Sequence, residues 1–244
     1  MNNFLHHTSY LFVFAHPDDE IYSCAFIQEL VQNDKKVQVV YVTSGDYQGA
    51  EQGPVREAEA LKSMSTLGVP EENVHFLRIP ERQLLSKVGD LLEILAKKSE
   101  GISPDCIVTH DFEGGHNGHD AVSFVAAEIA TQHSSALYVF PAYHDWPEKR
   151  LYNQFVSLRQ ATDTLVLTDK TKLIKNQIID IHKSQTKFFQ IIKDSSSAEA
   201  LMSREVLREV KEPIDYTQPP TTPLGYEYPG SSIKFETFKA SIDV

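Results

Sequence analysis

The chain has 244 residues, of which 41% are hydrophobic, so it can bury one sizeable core without disulfide support. With 23 basic and 34 acidic side chains its formal net charge is −11, which argues against binding nucleic acid or an anionic membrane through bulk charge. It has two cysteines outside any CxxC pattern, no apolar run near the roughly 20 residues that span a bilayer, and no signal-peptide-like start, so we expect a cytoplasmic protein.

Short β-branched or aromatic runs alternate with segments of helical length over the first 141 residues. The predicted strands are Tyr10–Ala15, Val37–Thr43, Val74–Ile79, Cys106–Thr109 and Leu137–Phe140. The predicted helices are Glu20–Asn33, Pro54–Leu67, Glu81–Ser99 and His119–His133. This alternation is typical of βαβ units, and the nearly continuous apolar strands indicate cover on both faces. We therefore predict an α/β fold, a Rossmann-like three-layer sandwich with a mostly parallel sheet, over about residues 8–141.

The rest of the chain is predicted to be an appendage to this sandwich. Its predicted elements are a strand at Thr164–Thr168, a helix at Lys172–Ile192 and a short helix at Ala198–Lys211. The density of proline in Pro213–Pro229 excludes a regular helix there, whereas its tyrosines favour an ordered arm packed on the body. We expect a single domain over residues 1–244, with a core at about 8–192 and an appendage at about 193–244.

Histidines and carboxylates follow the predicted strands, at the edge where parallel sheets bind their ligands. The segments concerned are His16-Pro17-Asp18-Asp19-Glu20, Thr43-Ser44-Gly45-Asp46, His110 to Asp120, and Pro141 to Asp145. A dinucleotide-binding loop needs glycines after the first strand, so that backbone amides can approach pyrophosphate. This chain has three acidic residues there, which would repel phosphate and attract a cation.

A metal ion fits this edge better than a nucleotide. His16 and Asp19 are three residues apart across a strand-to-helix turn, and the loop after the fourth strand could bring His119 alongside. Two histidines and one carboxylate leave an open coordination position, as in catalytic zinc sites and in non-haem iron(II) sites. Asp18 is adjacent to a ligand yet free, so it could accept a proton from metal-bound water. The alternative is that the acidic run only caps the following helix.

The first of these segments, preceded by Ala15, resembles the AHPDDE signature of the LmbE-like (PIG-L) de-N-acetylase family. Further segments that match the family are Thr43-Ser44-Gly45-Asp46, Arg56-Glu57-Ala58-Glu59-Ala60 followed by Leu67-Gly68-Val69, and His116-Asn117-Gly118-His119. Weaker support comes from His182-Lys183-Ser184-Gln185. The resemblance covers most of residues 8–190.

The resemblance implies a hydrolase that uses a zinc-activated water to remove an N-acetyl group from a small amino sugar or sugar conjugate of the GlcNAc type. It implies one Zn²⁺ per chain, bound by His16, Asp19 and His119. Asp18 would be the general base, and His116 would stabilise the oxyanion or act as an acid.

The resemblance also implies that Arg56 contacts substrate. The alternative for Arg56 is a surface ion pair with Glu57 or Glu59 on the same helix. Asp46 is a candidate substrate-binding residue that could accept a sugar hydroxyl or simply terminate a turn.

The H-x-x-H element departs from the family at Gly118, where relatives often have an aspartate that orients the first histidine. We therefore expect another group, such as Asp111 or Asp120, to orient His116. His110 is expected to support the site rather than to react.

Two rival interpretations remain at this point, an iron(II) oxygenase with the same ligands and a carbohydrate-binding relative without activity. The iron triad usually occurs on all-β barrels, whereas this chain reads as α/β. The expected partner is a small N-acetylated molecule, with no nucleic acid or membrane, and a homo-oligomer is left open. Aromatic residues in Tyr143-His144-Asp145-Trp146 and in the arm from Tyr216 to Tyr228 could stack on a sugar or pack on the body.

Overall fold

Parallel strands form the centre of the molecule. The structure, a computed structural model, describes residues 3–47, 49–146, 149–156 and 159–243. Its strands are β1 Ser9–Phe14, β2 Lys36–Thr43, β3 Val74–Ile79, β4 Cys106–His110, β5 Ala136–Phe140, β6 Tyr143–Trp146, β7 Lys149–Tyr152, β8 Asp163–Val166 and β9 Arg204–Glu209. The central sheet has the order β3-β2-β1-β4-β5-β9-β8, in which β1 to β5 are parallel and β9 is antiparallel to both of its neighbours. The predicted α/β sandwich with a mostly parallel sheet is confirmed.

Helices cover both faces of this sheet. They are α1 Cys24–Gln32, α2 Gln52–Leu67, α3 Val88–Ile102, α4 Asn117–His133, α5 Asp169–Ile181, α6 Thr186–Lys193, α7 Ala198–Ser203 and α8 Phe235–Ser241. None of the helices in the described ranges is long and apolar enough to cross a membrane.

Strand β1 shows why the strands are apolar at every position. Tyr10, Phe12 and Phe14 pack into the hydrophobic layer that includes α1, α2 and α5, whereas Leu11 and Val13 pack into the layer with α3 and α4. All six residues of β1 are buried. Successive side chains point to opposite faces, so burial on both faces requires a continuous apolar run.

Two of the late helices differ from the sequence prediction. The helix predicted over Lys172–Ile192 is interrupted at His182, where α5 ends and a 3₁₀ turn leads into α6. The helix predicted over Ala198–Lys211 ends at Ser203, and Arg204–Glu209 forms β9 instead. The prediction was wrong there because tertiary contacts, which sequence propensity does not include, decide the conformation.

Glu205 anchors β9 to the helices α1 and α5. Its carboxylate is fully buried and accepts hydrogen bonds from the backbone N–H groups of Ala25 and Phe26 at 2.9 and 3.0 Å, at the start of α1. Lys175 of α5 donates to the same carboxylate at 3.0 Å. A carboxylate at a helix N-terminus is favourable, and this one also needs its lysine because both charges are buried. Thus β9, which follows residue 192, lies inside the central sheet.

The proline-rich segment forms an ordered arm packed on the body, as predicted. Tyr216, Leu224 and Tyr226 are buried in the layer with α3 and α4, and Gly225 N–H donates to Gly114 O at 2.7 Å. The two buried tyrosines are therefore structural and have no face free for a sugar. The helix α8 and the hairpin of β6 and β7 were not predicted.

Candidate active site

A cavity of about 150 Å³ opens at the carboxyl ends of the parallel strands. The strand order reverses between β1 and β4, which is where open parallel sheets bind ligands. The residues that line the cavity are His16, Asp18, Asp19, Gly45, Tyr47, Gln52, Arg56, Glu81, His116, His119, Tyr143, Gln185 and Phe188. Most of the predicted site residues are among them.

The loop after β1 folds back on itself and brings His16 and Asp19 together. The backbone N–H groups of Asp18 and Asp19 donate to His16 O at 2.9 and 3.2 Å. In return, Asp19 Oδ2 accepts the backbone N–H of His16 at 2.6 Å. This tight turn explains how residues three apart in sequence converge at one point.

His119, in the first turn of α4, completes a compact cluster with these two residues. His16 Nδ1 lies 3.2 Å from His119 Nε2 and 3.3 Å from Asp19 Oδ2, and His119 Nε2 lies 3.4 Å from Asp19 Oδ1. Two ligand atoms that each lie about 2.0–2.1 Å from a tetrahedral zinc are about 3.3–3.4 Å apart. The three side chains therefore have the spacing that a zinc ion needs, and each is at most 7% exposed.

The charges in this cluster are arranged for a cation. Burial opposes ionisation of Asp19, but His119, His110 and His16 outweigh it and hold its pKa well below the usual range. Burial also opposes protonation of His16, but Asp19 and then Glu81 raise its pKa to about 9. Burial, helped by His110, lowers the pKa of His119 to about 3. A metal ion would take the place of the proton between His16 and Asp19.

Two residue groups could hold a metal, and they share only His119. One group is His16, His116 and His119, and the other is Asp19, His110 and His119. His110 Nε2 accepts the backbone N–H of Ala15 at 3.1 Å, so its lone pair is already used. The ring of His110 instead stacks on the ring of His119, with centroids 4.0 Å apart, and this packing restricts the orientation of His119.

The backbone, and not a carboxylate, orients His116. His116 is the N-cap of α4, and its Nδ1 accepts the N–H of Gly118 at 3.1 Å. A Cβ at position 118 would lie 3.0 Å from that nitrogen. Thus the glycine leaves room for the ring, and Nε2 carries the proton because Nδ1 accepts a hydrogen bond.

The expectation that Asp111 or Asp120 orients His116 is therefore wrong, because both carboxylates serve other partners. Arg208 and Arg159 donate to Asp111 at 2.7 and 2.9 Å. Asp120 Oδ1 accepts the backbone N–H groups of the loop before His116, at Glu113 and Gly114.

Asp18 and Arg56, which also line the cavity, form a buried ion pair. Arg56 Nη2 donates to Asp18 Oδ1 at 2.7 Å, and the two residues are 7% and 6% exposed, respectively. The alternative of a surface ion pair for Arg56 is therefore wrong, and Glu57 pairs with Arg78 instead. Burial raises the pKa of Asp18, and Arg56 limits the rise. Asp18 thus lies in the cavity outside both groups that could hold a metal.

Gly45 makes room for this arginine. It adopts a φ of +65°, and a Cβ there would lie 2.9 Å from Arg56 Nε and Nη1. Arg56 Nη1 also donates to Gly45 O at 3.2 Å. Gly45 therefore helps to position Arg56 and, through the ion pair, Asp18.

Asp46 is not one of the described residues that line the cavity. Its Oδ1 accepts the backbone N–H of Glu81 at 2.9 Å. This geometry agrees with the alternative of a turn-fixing role, here for the turn that follows β3.

Glu81 is a charged residue of the site that the sequence analysis did not predict. Its Oε1 lies 3.6 Å from His16 Nε2 and 3.8 Å from His116 Nε2. Glu81 begins a 3₁₀ turn two residues after the end of β3. Its place after the third predicted strand is a signal in the sequence, because ligand-binding residues follow parallel strands.

Three aromatic side chains, Tyr47, Tyr143 and Phe188, are among the residues that line the cavity. Tyr47 is 53% exposed, and the guanidinium of Arg82 lies 4.7 Å from its ring centroid. The ring centroids of Tyr143 and Phe188 are 6.1 Å apart. The side chain of Trp146, which was a candidate for stacking, lies outside the described residues.

Glu20 joins the loop after β1 to the late helices through a second buried ion pair. Its Oε1 lies 2.6 Å from His182 Nε2, and its Oε2 accepts a hydrogen bond from Tyr41 at 2.9 Å. Both members of the pair are fully buried. Burial works against both charges, but each partner outweighs it, so the pKa of Glu20 is lowered and the pKa of His182 is raised.

We expect His182→Ala to lower the free energy of unfolding by about 3–5 kcal/mol near pH 6, because it leaves a buried carboxylate without its partner. The contribution of His182 is complete below its ordinary pKa of 6.5 and is lost as pH rises through the raised value. The contribution of Glu20 is complete above its ordinary pKa of 4.5 and is lost as pH falls through the lowered value. Denaturant unfolding at acidic, near-neutral and alkaline pH measures this dependence. A His182→Ala protein as stable as an exposed-site control, His6→Ala, would contradict it.

Known proteins resemble this chain in sequence and in fold. The model of the PIG-L family, described as GlcNAc-PI de-N-acetylase, matches residues 11–130. A Schizosaccharomyces pombe protein, named as a probable N-acetylglucosaminyl-phosphatidylinositol de-N-acetylase, is 26% identical over 204 residues, which cover 75% of this chain and 79% of that protein.

Solved structures share the fold at low sequence identity. N,N'-diacetylchitobiose deacetylase from Pyrococcus horikoshii superposes with a TM-score of 0.60 and 19% identity, covering 85% of each chain. A teicoplanin deacetylase, in a zinc-inhibited form, superposes with a TM-score of 0.63 and 13% identity, covering 84% of this chain and 100% of that one.

Proposed function

Because the chain belongs to the PIG-L family through residues 11–130, we propose that it is a zinc-dependent hydrolase that removes the N-acetyl group from a small amino sugar or sugar conjugate of the GlcNAc type. The observation that carries this proposal is the buried cluster of His16, Asp19 and His119, whose nitrogen and oxygen atoms are 3.2–3.4 Å apart. Asp18 lies beside this cluster in the same cavity. The reaction adds water to an amide and yields acetate and a free amine.

The three residues of the cluster would hold one zinc ion per chain. Bound zinc supplies a water whose pKa is lowered to about 7, so that hydroxide is available at neutral pH. Three protein ligands leave a coordination position open, which distinguishes a catalytic from a structural zinc site. A set made of Asp19, His110 and His119 is less suitable, because His110 already accepts a backbone hydrogen bond.

Asp18 is the general base in this proposal. It lies in the cavity and is held by Arg56 at 2.7 Å, which leaves its second oxygen to accept the proton of the attacking water. The same carboxyl can then deliver that proton to the leaving nitrogen. Arg56 acts as a positioning residue, because it fixes the carboxylate and opposes the rise in its pKa that burial causes.

His116 stabilises the developing oxyanion. Its Nδ1 accepts the Gly118 N–H, so its Nε2–H is a donor within the cavity. Burial, together with His16 and His119, holds its pKa well below the usual range, and the ring is therefore neutral. A neutral donor suits hydrogen bonding to the acetyl oxygen better than it suits full proton transfer.

The size and lining of the cavity support a small substrate. A volume of about 150 Å³ is below the roughly 300–1,000 Å³ of pockets that enclose drug-sized ligands. The acetamido group and part of one sugar ring would fill it, while the remainder of the substrate would lie against Tyr47 and Phe188 at the mouth. The net charge of −11 opposes a polyanionic substrate.

A substrate panel with acetate release as the readout tests the proposal. Zinc-loaded protein is incubated with soluble GlcNAc, chitooligomers, GlcNAc conjugates and acetyl-lysine peptides. We expect turnover of GlcNAc or its small conjugates, with Asp18→Asn as the control for contaminating activity. Turnover confined to acetyl-lysine peptides would overturn the sugar assignment, and no acetate from any substrate would overturn the hydrolase assignment.

Assays of oxygen consumption and of sugar binding on the same protein distinguish the rival interpretations. An iron(II) oxygenase would consume oxygen in an iron-dependent way, whereas the hydrolase works with zinc and without oxygen. A carbohydrate-binding relative would bind the sugars without releasing acetate. The α/β fold favours the hydrolase, because the iron triad usually occurs on all-β barrels.

We propose a cytoplasmic location and no nucleic-acid or membrane partner. In support, Cys24 and Cys106 are free and buried in the described structure, as expected in a reducing compartment. The acidic balance of 34 to 23 charged residues gives phosphate-rich partners little attraction.

A further inference from the structure

We propose that Glu81 is a positioning residue for the metal site: its carboxylate accepts the Nε2–H of His16 and so presents Nδ1 of that ring to the metal. Asp46 contributes by holding the turn that carries Glu81. The inference rests on the proposed metal site and adds two residues to it.

The two ring nitrogens of His16 have different surroundings. Nδ1 faces Asp19 and His119 at 3.2–3.3 Å. Nε2 is buried and has no hydrogen-bond partner. Glu81 Oε1 lies 3.6 Å from it, about half an ångström beyond hydrogen-bond distance. The proposed hydrogen bond requires the two side chains to move closer by that amount.

Glu81 is free for this role, whereas the other carboxylates of the cavity are engaged. Asp18 is paired with Arg56, and Asp19 lies within the ligand cluster. The Oε2 atom of Glu81 is buried without a partner, and its side chain is only 12% exposed. A buried carboxylate costs free energy unless it is paired, so a partner for Glu81 is expected.

Asp46 restrains the backbone of Glu81 through a hydrogen bond. Its Oδ1 accepts the backbone N–H of Glu81 at 2.9 Å, from the loop after β2. Gln83 N–H donates to Pro80 O at 2.8 Å and closes the 3₁₀ turn. The two loops are thus joined at the residue whose side chain points toward His16.

A carboxylate behind a metal-binding histidine has a defined effect. It fixes the ring orientation and the tautomer, and it raises the basicity of the ligating nitrogen; loss of such a partner typically weakens metal binding about 10–100-fold. Among the three proposed ligands, His119 has no such partner, because its Nδ1 is buried without one in the described structure. His16 is therefore the ligand whose strength depends on a neighbouring carboxylate.

Metal affinity, measured without substrate, tests the inference. The dissociation constants for Zn²⁺ and Co²⁺ are determined by competition with a chromophoric chelator at fixed pH, with circular dichroism as a check on folding. We expect Glu81→Ala to bind metal about 10–100-fold more weakly than wild type, and Glu81→Gln to fall between the two. Glu72→Ala, at an exposed carboxylate before β3, is the matched control and should bind metal normally.

Substitutions of Asp46 distinguish a specific effect on metal binding from a general loss of stability. We expect Asp46→Ala to weaken metal binding. We expect Asp46→Asn to bind metal like the wild type, because the amide oxygen of asparagine still accepts the Glu81 N–H. The Asp46→Ala/Glu81→Ala double variant should bind metal no more weakly than Glu81→Ala alone, because both changes act through one contact.

Some results would overturn the inference without affecting the proposed function. A folded Glu81→Ala protein with wild-type metal affinity would overturn it even if the wild type releases acetate, and would assign Glu81 to His116 if turnover alone fell. Conversely, Glu81-dependent metal binding in a wild type that releases no acetate would support the inference and overturn the function. An Asp46→Asn variant as weak as Asp46→Ala would overturn the link through the backbone amide.

Discussion

The Asp18→Asn variant is expected to bind metal like the wild type and to lose about 10²–10⁴-fold in kcat. Asparagine has nearly the shape of aspartate, and its amide oxygen can still accept the Arg56 hydrogen bond that Asp18 accepts at 2.7 Å. The amide cannot take a proton from water, however, so the attacking hydroxide is no longer formed beside it. Acetate release and metal content are measured on the same preparation, so that loss of the base is separated from loss of the ion.

Asp90→Asn is the matched control for this substitution. Asp90 is exposed on α3 and lies outside the cavity, so the same chemical change there should leave kcat unaltered. An Asp18→Asn enzyme with a near-normal rate would remove Asp18 from the role of base. A variant that lost its metal would instead show that Asp18 helps to hold the ion.

The position of the site could be predicted from the sequence because the histidines and carboxylates come directly after the predicted strands. The acidic loop after β1 and the H-x-x-H element after β4 are 100 residues apart, yet adjacent parallel strands end at one edge and bring them together. The family signature supplied the expected roles. Local contacts, such as the backbone hydrogen bond that orients His116, could not be predicted, because they depend on the conformation of one turn.

The structure of the C-terminal part of the chain was harder to predict because it also depends on contacts between residues distant in sequence. Residues 204–209 contain Arg204, two glutamates, an arginine and only two apolar residues, a composition that also suits a surface helix. The buried partners of Glu205, at the start of α1 and on α5, are distant in sequence and make the segment a strand. Similarly, His182 ends α5 where its side chain reaches Glu20.

Purified wild-type protein is expected to carry close to one divalent ion per chain, and Asp19→Ala, His16→Ala or His119→Ala is expected to lose most of that ion together with acetate release. Each substitution removes one of three side chains whose ligand atoms are 3.2–3.4 Å apart, and a catalytic zinc site has few other protein ligands to compensate. Metal content by elemental analysis measures the loss directly. Three variants with full occupancy would contradict the assigned ligand set.

His116→Ala decides between the two sets of ligands that include both His16 and His119. If Asp19 is the third ligand, the variant keeps its metal and loses only the part of kcat that comes from oxyanion stabilisation, typically about 10²–10³-fold. If the third ligand is His116, as the group of three histidines allows, the metal is lost as well. We expect the first result, because a carboxylate between two imidazoles neutralises part of the charge of the ion in a buried place, which three neutral rings cannot do. Retained metal in Asp19→Ala together with lost metal in His116→Ala would reverse the assignment.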